Sequence, residues 1–529
     1  MTNKTKVFGP PGTGKTYVIK EYYQTYLRMG YGPNNITVIT FRKNGANDLV
    51  AATMPYSRVD EKELRQHVGT IHSICNRLIG RPELIKMEDY KKFADETIYG
   101  KYLTKIPTNH GIDEDTAYSG DAFDLYTWLK NTCTPFSQWK KYPGVKNIKI
   151  PPKMVEGFLK DYEKFKKEIG KIDYTDMLQR VIDEEIIIDT PILMVDEFQD
   201  FTAQMYKIFA MWVPHCEYVL IAGDPHQSIY EFWGGCTDYY YQFDAVEIIR
   251  GETFRLTEQV KNFSHRILRS AGMIVLDTKA KHADYESIKK IRYDAKFPVY
   301  DDEFHLVRCN YQALPVALKF ANEGNVYGGL YGWTEDELNA ANAIIQTRQG
   351  KPLTFLYMKA LLGLYPSKMI GVRGSKEEYF EKLEKRYVPE LQTGTGVLSV
   401  QIIDYLRSPN PTKGMTRDGK LFQAKKNGIK NRKEPIFIRE INGRRILTIH
   451  GSKGLEAQAV FLHNAITPRI QDVLLTHGKE KQAEARVWYV GATRPKDILY
   501  IVMDAGCRNY QFPPIHSIQE PLATGGIVC

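Results

Sequence analysis

The feature that most constrains the fold sits at the N-terminus. An apolar pair, Val7-Phe8, runs into Gly9-Pro10-Pro11-Gly12-Thr13-Gly14-Lys15-Thr16 and then into a helix-compatible run from Tyr17 to Leu27. Strand, glycine-rich loop ending in Lys-Thr, and helix follow in the order a phosphate-binding loop requires. Glycines let backbone N–H groups close around phosphate oxygens, and the helix N-terminus adds its positive dipole end. Lys15 is expected to reach the β- and γ-phosphates, and the Thr16 hydroxyl to ligate Mg²⁺. Gly9 to Thr16, with Tyr17 just beyond, is read as a nucleotide site.

Such a loop also serves kinases, GTPases and transporter ATPases, so the reading narrows on later segments. Ile192-Leu193-Met194-Val195 is an unbroken apolar run, the pattern of a strand buried on both faces of a parallel sheet. It ends in Asp196-Glu197-Phe198-Gln199-Asp200, and carboxylates at that edge of a strand face the nucleotide crevice. Asp196 is the candidate Mg²⁺ ligand, and Glu197 the group that orients and deprotonates the attacking water. A lone Asp-Glu pair is an ordinary surface feature; its place after four buried-type residues points to hydrolysis. A third run, Tyr218 to Ala222, leads into Gly223-Asp224-Pro225-His226-Gln227-Ser228-Ile229-Tyr230. Gln227 can sense a γ-phosphate, because a neutral amide both donates and accepts. A polar turn residue would look the same, and the position at a third strand end favours the sensor.

The 529 residues exceed one hydrophobic core and suggest roughly three or four domains. No apolar run approaches the roughly 20 residues needed to cross a bilayer, and Met1 to Lys6 leave no room for a signal peptide. The 7 cysteines are scattered with no C-x-x-C pair, which argues for a reducing cytosol and against a zinc site. Net charge is +9, and its distribution says more than its sum. Pro411 to Lys433 holds eight Lys/Arg against the single acid Asp418, and Lys140 to Lys171 holds ten lysines against four acids. Each stretch is either a solvated surface or a set of phosphate-backbone contacts.

With these motifs in hand the chain resembles the UvrD/PcrA/Rep helicases of superfamily 1, in motif order over almost its whole length. Thr40-Phe41-Arg42-Lys43-Asn44-Gly45-Ala46 resembles motif Ia and Gly69-Thr70-Ile71-His72-Ser73 motif Ib. Asp173 to Leu178 resembles the segment before motif II; Asp196 to Asp200 and Gly223 to Tyr230 match motifs II and III. Leu306 to Asn310 resembles motif IVa, Thr448 to Glu456 motif V, and Arg486 to Arg494 motif VI. The resemblance implies an α/β fold with two RecA-like parallel-sheet lobes, each interrupted by a mainly helical accessory domain. The expected boundaries are 1–75 with 170–253 for the first lobe and 254–325 with 440–515 for the second. The insertions would be 76–169 and 326–439, with a tail at 516–529. The alternation of apolar strand runs with helical runs fits a parallel sheet independently.

The resemblance further implies ATP and Mg²⁺ between the lobes, with Glu456 and Lys261 among the nucleotide contacts. Arg494 would cross the cleft as an arginine finger, making closure and opening one inchworm stroke along a strand. The expected nucleic-acid contacts are Thr40, Phe41, His72, Tyr230, Phe232, Arg308 and His450. For Tyr230 and Phe232 core packing is the competing reading, and Phe232 stands where the family usually has Trp. Lys453-Gly454-Leu455-Glu456 resembles the 3′→5′ branch.

Three departures cluster on adenine recognition. Eight residues precede Gly9, where the family carries a Gln-containing motif; Tyr17 replaces an Arg. In motif IV, Glu252-Thr253-Phe254-Arg255-Leu256 fits, but the usual Asn-Tyr-Arg-Ser becomes Gln259-Val260-Lys261-Asn262; the stacking ring is lost at Val260, and the Arg is matched by Lys261, which keeps only charge, or by Asn262. Either base specificity is relaxed or Tyr17 supplies a stacking face. The expected activity is an ATP-dependent DNA helicase acting on single-stranded and tailed duplex DNA. A protein-displacing single-strand translocase and a non-catalytic nucleic-acid-binding scaffold are the alternatives. Expected partners are replication or repair proteins, with no membrane, a monomer or weak oligomer, and a cytoplasmic, nucleoid-associated location in a bacterial or phage-infected cell.

Overall fold

The computed structural model describes residues 3–515 apart from 42, 104–121, 283–285, 350, 352, 371, 373, 385–414, 416–424, 426–431, 433 and 505–507. The first lobe is a parallel sheet of β1 (Asn3–Phe8), β2 (Ile36–Thr40), β3 (Val68–Thr70), β4 (Ile192–Val195), β5 (Tyr218–Gly223) and β6 (Val246–Ile249), in spatial order β3-β2-β4-β5-β1-β6. Strands β2 and β4 are buried at every position, β4 as its unbroken apolar run requires and β2 with the Thr37 hydroxyl paired to that of Thr190 at 2.9 Å. Asn3 pairs with Tyr218 and Ile192 with Ile36, which brings the C-terminal ends of β1, β2, β4 and β5 to one edge. The phosphate loop, Thr40, Asp196 and Asp224 all leave the sheet there.

A crossover strand pair, β7 (Glu252–Thr257) and β8 (Lys279–His282), leads to the second lobe. Its sheet contains β9 (Ile288–Arg292), β10 (Glu303–Val307), β11 (Gly328–Gly329), β12 (Arg444–Thr448), β13 (Ala457–His463) and β14 (Pro495–Met503). The order is β11-β12-β10-β13-β14-β9, again parallel throughout. Both sheets are therefore the α/β cores expected. The two-residue β11 lies a few positions beyond 325, inside the stretch read as the second insertion. Glu456 precedes β13 and Arg494 precedes β14, so the second lobe turns the entry edge of its sheet towards the exit edge of the first.

One contiguous apolar cluster runs through both lobes, from Ile39, Val195 and Phe198 through Tyr230 and Val260 to Phe304, Ile449 and Trp488. The first insertion builds its own core. Phe93, Phe123, Phe158 and Tyr162 meet edge-to-face at centroid separations of 5.2 to 5.9 Å, arrangements that add to simple area burial. Described helices in the second insertion are Glu335–Arg348, Phe355–Gly363 and Lys376–Glu384. Among the described residues no helix is long and apolar enough to cross a membrane.

The two basic stretches divide between surface and interior. Lys140, Lys141, Lys146, Lys149, Lys153 and Lys160 are exposed on the first insertion. Lys166 is buried, and its Nζ lies 2.8 Å from Asp173 and 2.5 Å from Asp176. Lys171 pairs with Asp89 at 3.0 Å. Of the eight cations between Pro411 and Lys433, Lys425 and Arg432 are described; Lys425 pairs with Glu337 and Arg432 with Glu440. The other six lie outside the described residues.

Burial raises the Asp176 carboxyl, and Asp173 adds to the shift. Burial acts the same way on Asp173, but Lys166 outweighs it and holds that carboxyl below its ordinary value. Removing a buried partner leaves an uncompensated charge and costs about 3–5 kcal/mol. Lys166→Met should therefore destabilise the first insertion by that order in chemical denaturation. The additional Asp176→Asn change should recover part of the loss. A Lys166→Met protein as stable as the parent would contradict the assignment.

Candidate nucleotide and strand-binding site

The phosphate loop is shaped by two left-handed glycines, Gly12 (φ 74°) and Gly14 (φ 81°). Gly12 is constrained twice, because a Cβ there would lie 2.6 Å from the Arg255 Cβ. That crowding comes from β7 lying across the loop: the Phe254 N–H donates to the Gly12 carbonyl at 2.8 Å and the Thr253 hydroxyl to the Pro11 carbonyl at 2.9 Å. Gly9, Pro10 and Pro11 form the stem, where the Thr13 hydroxyl donates to the Pro10 carbonyl at 2.9 Å. Lys15 folds over this stem, its Nζ donating to the Gly9 carbonyl at 2.6 Å.

Opposite the loop stand the acids of β4. The Thr16 hydroxyl donates to Asp196 Oδ2 at 3.3 Å. Burial, reinforced by the Glu197 charge, pushes the Asp196 carboxyl up to about 7. Burial would raise Glu197 as well, but Lys453 and Lys15 outweigh it and hold this carboxyl below its ordinary value. Glu197 occupies the left-handed region at φ 54°, a strained backbone for a residue with a side chain. Its N–H is held by Asp196 Oδ1 at 2.9 Å, and Gln199 Nε2 donates to its carboxylate. Gln199 is itself locked by the Asp224 N–H, which donates to its Oε1 at 2.9 Å. Asp224 also accepts from Gln227 Nε2 at 2.8 Å. The strand-end residues thus form one hydrogen-bonded set.

The second lobe completes the site. Arg494 is buried; its Nη2 donates to Gln227 Oε1 at 3.2 Å and its Nε to the Val490 carbonyl at 2.9 Å. Arg255 lies beside Glu456 at 3.3 Å. Burial and the neighbouring Arg255 push the Arg494 guanidinium down to about 9, and burial lowers Arg255 too. Lys453 pairs with Asp200 and donates to the Gln227 carbonyl at 2.7 Å. These groups enclose a cavity of about 380 Å³ lined by residues of both lobes, within the size range of small-ligand sites. Of the residues singled out in the sequence, Gly12 to Thr16, Asp196, Glu197, Gln227, Glu456 and Arg494 line it together. A glycine cradle, cations from two lobes, and a hydroxyl beside a carboxylate fit a triphosphate with its divalent ion.

Three expectations are corrected. Lys261 does not reach the cavity: its Nζ is buried against Glu258 and the Thr278 carbonyl, both at 2.6 Å. Val260 packs in the core. The helix Glu258–Arg269, capped by the Thr257 hydroxyl, turns both residues inward. The ring and guanidinium at the cavity are Phe254 and Arg255, on β7. Both belong to Glu252-Thr253-Phe254-Arg255-Leu256, the part of motif IV that fits the family, from which the sequence reading took no nucleotide contact. Thr40, expected on the strand path, lines the nucleotide cavity instead, beside Asp196 at the exit edge. Tyr17 is more than half exposed and stands outside the cavity wall.

The remaining strand-path candidates separate. Phe41 and Tyr230 are buried against each other, ring centroids 5.3 Å apart, so neither offers an open face in this structure. Phe232 is partly exposed, 6.1 Å from Tyr230 and 5.6 Å from His450 of the second lobe. His72 stands apart, 5.9 Å from the Tyr174 ring, and burial lowers it to about 4, leaving it neutral at pH 7. Arg308 makes a two-pronged contact with Glu484, both bonds 2.9 Å. Gln199, Asp224, Phe254, Arg255 and Lys453 are site residues that were not singled out as such from sequence.

Comparison with known proteins agrees with this geometry. Residues 1–246 match the UvrD/REP helicase N-terminal domain and residues 422–505 the UvrD-like helicase C-terminal domain. A putative ATP-dependent DNA helicase, YjcD, of Bacillus subtilis is 26% identical over 56% of this chain and 40% of its own length. A probable DNA helicase of Mycoplasma pneumoniae is 22% identical over 94% of this chain and 80% of its own. The ATP-dependent DNA helicase PcrA of Staphylococcus aureus is 20% identical over 93% and 80%. The match spans less than half the length of the Bacillus relative. With two matched domain families in order, and their residues meeting at one cavity, the chain belongs to the UvrD/REP helicase family.

Proposed function

We propose that the protein is an ATP-hydrolysing motor that translocates on single-stranded DNA in the 3′→5′ direction and opens duplex DNA ahead of it. The observation that carries this reading is the Arg494–Gln227 contact, which joins the lobes across the nucleotide cavity. Glu197, ionised and oriented by Gln199, accepts a proton from water as its oxygen bonds to the γ-phosphorus and the bond to the ADP oxygen breaks. Arg494, Arg255 and Lys15 meet the charge on the transferring group, a preorganised form of stabilisation. Thr16 and Asp196 would hold Mg²⁺, which supplies Lewis-acid neutralisation of the phosphate oxygens when bound. Because Arg494 belongs to the second lobe, its contact depends on closure, and release after hydrolysis lets the lobes shift along the strand.

Phe232 and His450, one from each lobe, supply the strand-side ring and polar contact, with Arg308 and His72 as flanking polar groups. The exposed lysines from Lys140 to Lys160 supply phosphate-backbone contacts. Phe254, in the cavity wall, is the stacking face for the base. A ring face carries little base discrimination, so GTP should be turned over within about tenfold of ATP, since a stacked base contributes about 1–3 kcal/mol whatever its identity. Phe254→Ala should raise KM for both nucleotides; a strict ATP preference that survives this change would refute the stacking assignment.

Turnover should rise on adding single-stranded DNA, and Glu197→Gln should cut it by about 10²–10⁴-fold. Turnover indifferent to oligonucleotide would sink the motor reading, and unwinding only from a 5′ overhang would sink the direction. Asp196 gives a further, ligand-free test. Its carboxyl ionises near 7 when folded, against an ordinary 3.8. The folded state therefore holds this proton more tightly, and the group's contribution to stability falls as pH rises from about 4 to 7 and stays unfavourable above it. Asp196→Asn should raise stability at pH 8 by about 1–3 kcal/mol, with the gain shrinking towards pH 5. A melting temperature lowered by the substitution at pH 8 would contradict it.

A further inference from the structure

The helix Lys479–Ala492, which delivers Arg494 to the cavity, also touches the first lobe some distance earlier. There Arg486 Nη1 donates to the carboxylate of Glu231. Eight residues separate Arg486 from Arg494, about 12 Å along a helix. Their partners, Gln227 and Glu231, sit on one short stretch leaving β5. Arg486 is 9% exposed. A guanidinium at that depth is costly unless a carboxylate faces it, and among the described residues Glu231 is the acid within ion-pair distance. The Arg486 Nε has no acceptor there.

The stretch that carries Glu231 is gripped from two sides. From the first insertion, Asn131 Nδ2 donates to the Trp233 carbonyl at 3.0 Å, and Gly234 (φ 97°) makes room for the Thr132 methyl group, which a Cβ would meet at 2.8 Å. From the second lobe, Lys453 holds the Gln227 carbonyl at 2.7 Å, and Tyr489 approaches His226 at 6.3 Å between ring centroids. Glu231 itself directly precedes Phe232, whose ring meets His450. The pair thus fastens the strand-side end of this stretch to the helix that carries the finger.

We propose that Glu231 is a positioning residue for Arg494: by clasping Arg486 it sets the rotation and height of the finger helix, so that the guanidinium meets the γ-phosphate when a strand is held. This rests on the hydrolytic reading of the cavity. The pair lies outside the residues that line the nucleotide cavity and acts through the helix.

The test is steady-state ATP turnover by the full chain with saturating single-stranded oligonucleotide. Glu231→Gln and Arg486→Gln should each lower kcat about tenfold while KM for ATP moves less than twofold. Exchanging the charges, E231R with R486E, should return kcat to within about threefold of the parent, whereas R486E alone should be the poorest variant. Should the exchanged protein fail to fold, Arg486→Lys serves in its place, with kcat expected between the parent and Arg486→Gln. A folded Glu231→Gln protein with parental kcat would overturn the clasp, as would an exchanged pair no better than R486E. A parent protein without oligonucleotide-stimulated turnover would instead overturn the motor reading beneath it.

Discussion

The meeting of the Arg494 guanidinium with the Gln227 amide joins the two parallel sheets at the nucleotide cavity. Neither sheet holds a complete site. The first provides the glycine loop, Thr16, Asp196 and Glu197 at its exit edge, and the second provides Glu456 and Arg494 at its entry edge. What makes the seam functional is unbalanced charge. Arg494 and Arg255 are lowered by burial, and Asp196 is raised by it. All three would be relieved by a polyanion and its cation entering the cavity, so the ligand-free protein keeps an electrostatic demand that the ligand satisfies.

The same economy appears in the loop. Gly12 must adopt a left-handed backbone and must also leave room for Arg255, so one residue serves both the phosphate cradle and the docking of β7. Because β7 is fixed to the loop through the Gly12 and Pro11 carbonyls, Phe254 and Arg255 take their positions from the phosphate site itself. Gln199 works similarly for the acids: it orients Glu197 while being locked by Asp224, the residue that also steers Gln227.

Much of this was legible in the chain, for physical reasons that differ by element. Strands β4 and β5 declared themselves because a strand buried on both faces reads as an unbroken apolar run, β1 through Val7-Phe8 ahead of the glycine loop, and the groups at their ends follow by covalent adjacency. The cavity residues were therefore readable one strand at a time. The adenine side was not, because Gln259 to Asn262 and Thr253 to Leu256 both offered a partial match, and only the helix cap at Thr257 shows which string turns inward. Aromatic residues misled in the other direction: Phe41 and Tyr230 have the right chemistry for a base platform, but they pack on each other. Ring burial depends on partners distant in sequence, which a local motif does not encode. Charge runs were ambiguous for the same reason, since Lys166 and its exposed neighbours are indistinguishable until Asp173 and Asp176 are brought beneath one of them.

The apolar cluster that threads both lobes restricts how such a molecule can move. A hinge that gaped widely would part Lys453 from the Tyr230 ring, 5.0 Å away, and Phe232 from His450, 5.6 Å away, and apolar surface wetted there costs about 25 cal/mol per Å². Nucleotide-driven rearrangement is cheaper as a small slide along this greasy seam, with side chains trading neighbours while staying dry. A slide of that kind leaves the shared core buried throughout, so the two sheets can shift past one another without parting.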